Sequence, residues 1–445
     1  MKTPICDFVN SYNLKKTLRL HMPGHKGIST LGCEDLDITE IDGADSLYEA
    51  QGIIRESEIN AGTLFGANTY YSTEGSSLCI RAMLYLTALY AKHKGERTTV
   101  LAGRNAHKNF LSAAALLDID VEWLYPEQNS SYVSCPITAG YLEKIIMGTE
   151  HKPTAVYVTS PDYLGNVLDL ESISAVCRKY GILLLVDNAH GAYLKFLHPS
   201  RHPIDSGADM CCDSAHKTLP VLTGGAYLHV SHSAPEMLVH KAKDALALFG
   251  STSPSYLILQ SLDCANRYIS LGYPKKLAEF IVEVKKLKVK LCKNGYDVLD
   301  SEPLKITLKT TSYGYSGIEF SQILSERNIT CEFCDPDFVV FMLTPEIGSD
   351  GLKTLEATLL DIPEKQSASA TAPTLSVMKK LLSVREAMLS PSEVISAQEA
   401  VGRILALPSV SCPPAVPIAV PGEELSAQAV ETFKYYGIKN ITVVK

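Results

Sequence analysis

Gly181-Ile-Leu-Leu-Leu-Val-Asp-Asn-Ala-His-Gly-Ala192 sets five consecutive apolar residues directly before an acid. A run so short and so continuous reads as a strand buried on both faces, the habit of a parallel sheet rather than of an alternating edge. Asp187 then emerges at the carboxyl end of that strand, where open α/β sheets collect their ligands. Lys217, thirty residues after Asp187, lies in a second dense stretch, Ser214-Ala-His-Lys-Thr-Leu-Pro-Val-Leu-Thr223, which leads through Gly224-Gly225 into the strand-like Ala226 to Val230.

Working outward, Thr98 to Ala102, Val121 to Leu124 and Ala155 to Thr159 read as further strands. Ser76 to Lys92, Lys108 to Leu117 and Leu170 to Tyr180 carry helical patterns between them. This alternation predicts a mostly parallel sheet between helices, hence an α/β fold. At 445 residues the chain exceeds one core of ordinary size. The composition shifts suggest an N-terminal arm (1–60), a large domain (61–290), a small α/β domain (291–363), a linker (364–376) and a C-terminal domain (377–445). The linker is the polar, small-residue run Pro363 to Pro373. The pattern from about 250 to 290 is long and helical, and Ser390-Pro-Ser-Glu resembles a helix start in the last domain.

Composition excludes several classes. A formal charge of −8 with 46% apolar and 20% charged residues argues against a nucleic-acid-binding surface. The one basic cluster, Lys285 to Lys293, is interleaved with Leu and Val and reads as a solvated helix face. No secretory signal and no run of membrane-spanning length stands out, which together with scattered cysteines predicts a cytoplasmic protein with reduced thiols. The lone Cys331-x-x-Cys334 and the vicinal Cys211-Cys212 lack a second ligand pair, so no metal site is expected. Dinucleotide, P-loop, H-E-x-x-H and G-x-S-x-G motifs are missing.

Taken singly, a strand-end aspartate is usually a turn former and a lysine usually a surface residue. The pair changes the balance. Pyridoxal 5'-phosphate (PLP) chemistry requires a lysine amine for a Schiff base and an acid that keeps the pyridine nitrogen protonated, so that the ring can accept electrons. A lysine that must attack an aldehyde needs its amine neutral, which burial or neighbouring cations promote; His216 is adjacent. Thr73-Glu74-Gly75-Ser76-Ser77 opens a helix, and such a turn offers N–H groups and hydroxyls to a phosphate, with Ser214 as a further ligand. Without a ligand, the same serines would simply cap the helix. Asn105-Ala-His-Lys108 marks another strand-to-helix junction, where the His107 ring could stack on a pyridine.

These residues resemble the bacterial Orn/Lys/Arg decarboxylases in their short biosynthetic form, members of the aspartate-aminotransferase-like PLP fold (fold type I). The likeness is carried by Leu20-His-Met-Pro-Gly-His-Lys-Gly27, Asp37-Ile-Thr-Glu-Ile-Asp-Gly43, Phe65-Gly-Ala67, Thr73 to Ser77, Asn105 to Lys108, Thr159-Ser-Pro-Asp-Tyr-Leu-Gly165, Asp187 to Ala192 and Ser214 to Thr223. The terminal Pro-Pro-x-x-Pro…Pro-Gly-Glu completes it. The resemblance implies that Lys217 forms the Schiff base, Asp187 meets the ring nitrogen and His107 stacks. It also implies that Gly75, Ser76, Ser77, Ser214 and His216 surround the phosphate, and that His190 sits near the phenolic oxygen or the substrate carboxylate. It further implies a homodimer with active sites at the subunit interface, and a basic amino acid as substrate. Four positions depart from the pattern: Glu74 for the usual asparagine, Asn188 for a frequent glutamate, Gly224-Gly225 for a polar pair, and Ala415 for glycine. A carboxylate beside a phosphate is repulsive unless it turns away, so Glu74 could instead face the distal amine of a basic substrate.

The activity so implied is decarboxylation of arginine, lysine or ornithine to agmatine or a diamine, with Lys217 or His216 returning a proton to Cα. Two alternatives stay open at the sequence level. One is another PLP reaction on the same fold, transamination or β-elimination. The other is a catalytically impaired regulatory homologue.

Overall fold

The computed structural model of the chain describes residues 1–127, 130–366, 372–374, 377–408 and 414–445. Its fold is mixed α/β with a mostly parallel central sheet. Two units share the residues: 1–96 with 183–275, and 97–182 with 276–445.

In the first unit, four strands lie in the order Asn68–Ser72, Ala226–Val230, Met210–Asp213, Leu183–Asp187. The last two are parallel, with Asp187 opposite Cys212, and the other pairings are antiparallel. Leu183–Asp187 and Ala226–Val230 are buried at every position, as expected of largely apolar strands covered on both faces. Helix Gly75–His93 packs on Ala226–Val230 and on helix Glu236–Phe249. Leu78, Cys79, Ala82, Met83 and Leu86 put a continuous buried stripe on it, each leucine contributing about 1.5–3 kcal/mol.

In the second unit, Thr99–Gly103 pairs in parallel with both Asp120–Leu124 and Ala155–Thr159, and helix Lys108–Leu117 connects the first two. An antiparallel sheet, Lys305–Lys309, Phe338–Met342 and Phe333–Cys334, and another, Ser392–Ser396, Asn440–Val444 and Leu405–Leu407, follow. Phe333, Val340, Ile418, Phe433, Ile441 and Val443 belong to one apolar core that joins these two sheets.

The helical region near 250–290 is two helices, Tyr256–Ser270 and Tyr273–Lys293. Gly272 at φ +111° ends the first, and Pro274 suits the opening turn of the second. The expected helix start at Ser390-Pro-Ser-Glu is wrong: Ser392–Ser396 is a strand. The helix lies just before it, at Val384–Leu389, where Ser383 and Glu386 close a capping box. Of the expected linker, 367–371 and 375–376 lie outside the described residues, as do Cys412 and Pro413 of the proline-rich stretch.

Asp335 adds a pH dependence to the second unit. Its Oδ1 accepts from the Asp337 and Phe338 amides at 2.8 Å each, while its Oδ2 is buried without a partner. Burial outweighs those bonds and pushes the carboxyl up to about 7 from an ordinary 3.8. The folded chain thus keeps a proton that the unfolded chain releases, so this stability is fully present below pH ~4 and is lost as pH rises through 7. Linkage puts the loss on the order of 4 kcal/mol. Asp335→Asn keeps the Oδ1 acceptor and should flatten this dependence; equal shifts of the urea midpoint between pH 5 and 8 in both proteins would contradict it.

Candidate functional site

The first unit brings most of the candidate residues to the ends of neighbouring strands. Asp187 closes the strand Leu183–Asp187, is buried, and accepts from the Ala189 amide at 3.2 Å. The Cys212 thiol lies 3.7 Å from the same oxygen. The turn that Asp187 opens presents His190, whose Nε2 is 2.8 Å from Lys217 Nζ. Lys217 is half-buried in the short helix Ala215–Thr218, directly after the strand Met210–Asp213. Two strand ends therefore deliver an acid and an amine, and an imidazole on the first reaches the amine on the second.

The same strand end also delivers a hydroxyl. Ser214 Oγ donates to Ser76 Oγ at 2.8 Å, and Ser76 and Ser77 lie in the first turn of helix Gly75–His93. Gly75 has φ +71°, and a Cβ built there would meet nothing within 4 Å, so the helix start has open space in front of it. The helix N-terminus, with its positive end potential, and the Ser76–Ser214 hydroxyl pair lie at this helix start, an arrangement suited to a phosphate. His216 Nδ1 lies 3.0 Å from the Gly225 carbonyl, fixing the ring beside the turn.

The glycine pair is explained by packing. The Gly75 amide donates to the Gly224 carbonyl at 2.7 Å. A Cβ on Gly224, at φ +99°, would fall 2.7 Å from the Thr73 carbonyl oxygen, and one on Gly225 would fall 2.3 Å from Val221 Cγ1. Only glycines let the lysine loop reach the serine turn. Glu74 is exposed, and its Oε1 accepts from the Ser251 amide at 2.7 Å. His107 belongs to the second unit, where its Nδ1 caps helix Lys108–Leu117 by accepting from the Asn109 amide at 3.1 Å. In that unit the Lys108 amide donates to the carbonyl of Ala415, which holds a left-handed φ of +56°. That conformation costs an alanine roughly 1 kcal/mol relative to glycine.

Sequence reading missed Asp213, His202 and His229. Asp213 is fully buried, with His202 Nε2 at 3.1 Å and His229 Nε2 at 3.2 Å from its Oδ2. Only the adjacency of Asp213 to Ser214 was available as a signal, since the two histidines come from separate segments.

The chain matches the family model for the Orn/Lys/Arg decarboxylase major domain over residues 3–300, and that for the Orn/Lys/Arg decarboxylase C-terminal domain over 364–440. An uncharacterized protein of Bacillus subtilis, YaaO, is 27% identical over 97% of this chain and 93% of its own. An arginine decarboxylase of the same organism is 26% identical over 99% and 94%. Among solved structures, lysine decarboxylase A from Pseudomonas aeruginosa superposes with a TM-score of 0.81 at 18% identity, covering 99% of this chain and 80% of that one.

Proposed function

Because the chain belongs to the Orn/Lys/Arg decarboxylase family, we propose that it is a PLP-dependent enzyme that removes the α-carboxylate of arginine, lysine or ornithine, releasing CO₂ and agmatine or a diamine for polyamine metabolism. The observation that carries this reading is the Lys217 amine, 2.8 Å from His190, on the turn opened by the buried Asp187. The residues fit PLP. The open space before Gly75 and the Ser76–Ser214 hydroxyl pair suit its phosphate, Lys217 its aldehyde carbon, and Asp187 its ring nitrogen.

When bound, PLP supplies an electron-poor ring that takes up the electron pair freed as the bond from Cα to the carboxylate breaks. The chain's own residues do the rest. Asp187, an acceptor at a buried strand end, holds a proton on the ring nitrogen. Lys217 supplies the amine and afterwards a proton to Cα, and His190 exchanges that proton with Nζ across their contact. His216 stays beside this turn through Gly225. Stacking of His107 on the ring is proposed on the family resemblance alone. The reading includes a homodimer in the cytoplasm, and the apolar, solvent-facing Leu18, Leu20, Met22, Ile28 and Leu31 of the arm support a covering subunit.

CO₂ release from each of the three amino acids tests the activity and picks the substrate. Glu74 is the candidate for the distal cation. Glu74→Gln should raise KM about tenfold with kcat nearly unchanged, since it weakens ground-state binding alone. No CO₂ from any of the three would refute the activity, and an unchanged KM would remove Glu74 from the site.

A further inference from the structure

Asp213 has no role in the chemistry above, yet it is enclosed completely and its carboxylate meets three side-chain nitrogens. Its Oδ2 faces His202 Nε2 and His229 Nε2, and its Oδ1 accepts from Asn188 Nδ2 at 2.6 Å. The Ile204 amide approaches His202 Nδ1 at 3.4 Å, which leaves the ring proton on Nε2 to donate. Thr69 Oγ1 lies 2.9 Å from His229 Nδ1. Burial by itself would raise the Asp213 carboxyl, but the two imidazoles reverse that and hold it below the usual carboxylate range. His202, Cys211 and Asp213 are close enough to hold a metal ion. However, the imidazole and carboxylate already pair with each other, and burial keeps the Cys211 thiol protonated.

What this anion grips is the turn of the candidate site. Asn188 follows Asp187 directly; its amide N–H donates to the Cys212 carbonyl at 3.0 Å while its side chain donates to Asp213. Both ties join the Asp187–His190 turn to the strand end from which Ser214 and Lys217 depart. A glutamate at 188, frequent in the resembling family, would here set two carboxylates against each other in a buried space. Asn188 and Asp213 are complementary.

We propose that Asp213, clamped by His202 and His229, is a positioning residue of the cofactor pocket, fixing Asp187 and His190 through the Asn188 amide and Ser214 through the main chain. The proposal rests on the reading of that pocket as a PLP site.

The test is PLP titration of the apoprotein, read as the dissociation constant and as the pH midpoint of the visible band of bound cofactor, beside the thermal midpoint. Asn188→Asp should weaken PLP binding by about tenfold to a hundredfold, the size expected when a hydrogen bond to a buried charge turns repulsive. It should also move the pH midpoint. The swap Asn188→Asp with Asp213→Asn restores one donor facing one acceptor and should return the dissociation constant to within about threefold of the parent. Should Asn188→Asp fail to fold, Asn188→Ala removes the tie without adding charge and should lose about tenfold. Parent-like binding and pH midpoint in the single variants, or a folded swap no better than Asn188→Asp, would overturn the positioning role. A parent protein with no PLP band would instead overturn the pocket reading itself.

Discussion

Lys217→Ala should abolish the visible band of the PLP-loaded protein and lower CO₂ release by more than about 10³-fold, roughly 4 kcal/mol in the barrier. On the proposed reading, the size follows from two losses in one substitution: the amine that would hold the cofactor covalently, and the proposed proton carrier for Cα. The structure adds a second consequence. His190 Nε2 sits 2.8 Å from Nζ, so removing the amine also strips the imidazole of a partner, and added methylamine should not restore the parent rate fully. His190→Ala, by contrast, leaves the amine in place. It should retain the band while slowing turnover about 10²-fold, in the range of a single proton-transfer role. A Lys217→Ala protein that keeps the band, or releases CO₂ within tenfold of the parent, would remove Lys217 from its assigned role.

The legibility of this chain depended on how local each signal was. The strand ending at Asp187 was readable because five apolar residues in a row admit few other placements, and the structure buries every one. The helix that begins at Gly75 was readable from its serine turn and from apolar positions recurring at helical spacing. Met210–Asp213, a strand of four residues carrying two cysteines and an acid, gave no periodic signal. Its identity as a strand comes from pairing with Leu183–Asp187 and Ala226–Val230, which no short window contains. The same limit hid the Asp213 cluster, whose histidines are 11 and 16 residues away in sequence. At Ser390-Pro-Ser-Glu a helix-start pattern was present, but Ser392 to Ser396 pairs with Asn440–Val444, and tertiary pairing overrode the local cue. The Gly224-Gly225 departure was visible in sequence, while its reason, contact with Thr73 and Val221, needed coordinates.

Arg104→Met should strongly destabilise the second unit, costing about 3–5 kcal/mol, a large share of the total stability of an ordinary domain. Arg104 follows the strand Thr99–Gly103 and is buried with its charge. Its guanidinium donates to the Pro417 carbonyl at 3.1 Å, to the Ile418 carbonyl at 2.8 Å and to Glu423 Oε2 at 3.2 Å. Glu423, the acid of the Pro-Gly-Glu motif, also accepts from the Val420 amide at 2.8 Å. Methionine fills similar volume but leaves this carboxylate without its cation and two buried carbonyls without donors. Pairing it with Glu423→Leu removes the stranded charge, so the double variant should be more stable than Arg104→Met alone, although two charges have gone. The chain's single tryptophan, Trp123, provides the readout, since the Arg104 guanidinium lies 5.5 Å from its ring centre. Its fluorescence follows unfolding of this unit in urea. An Arg104→Met stability within about 1 kcal/mol of the parent would show that the pair contributes no more than a surface ion pair does, and a double variant weaker than the single would show that Glu423 is held chiefly by the Val420 amide and by the Tyr125 hydroxyl, which donates to its Oε1 at 3.4 Å.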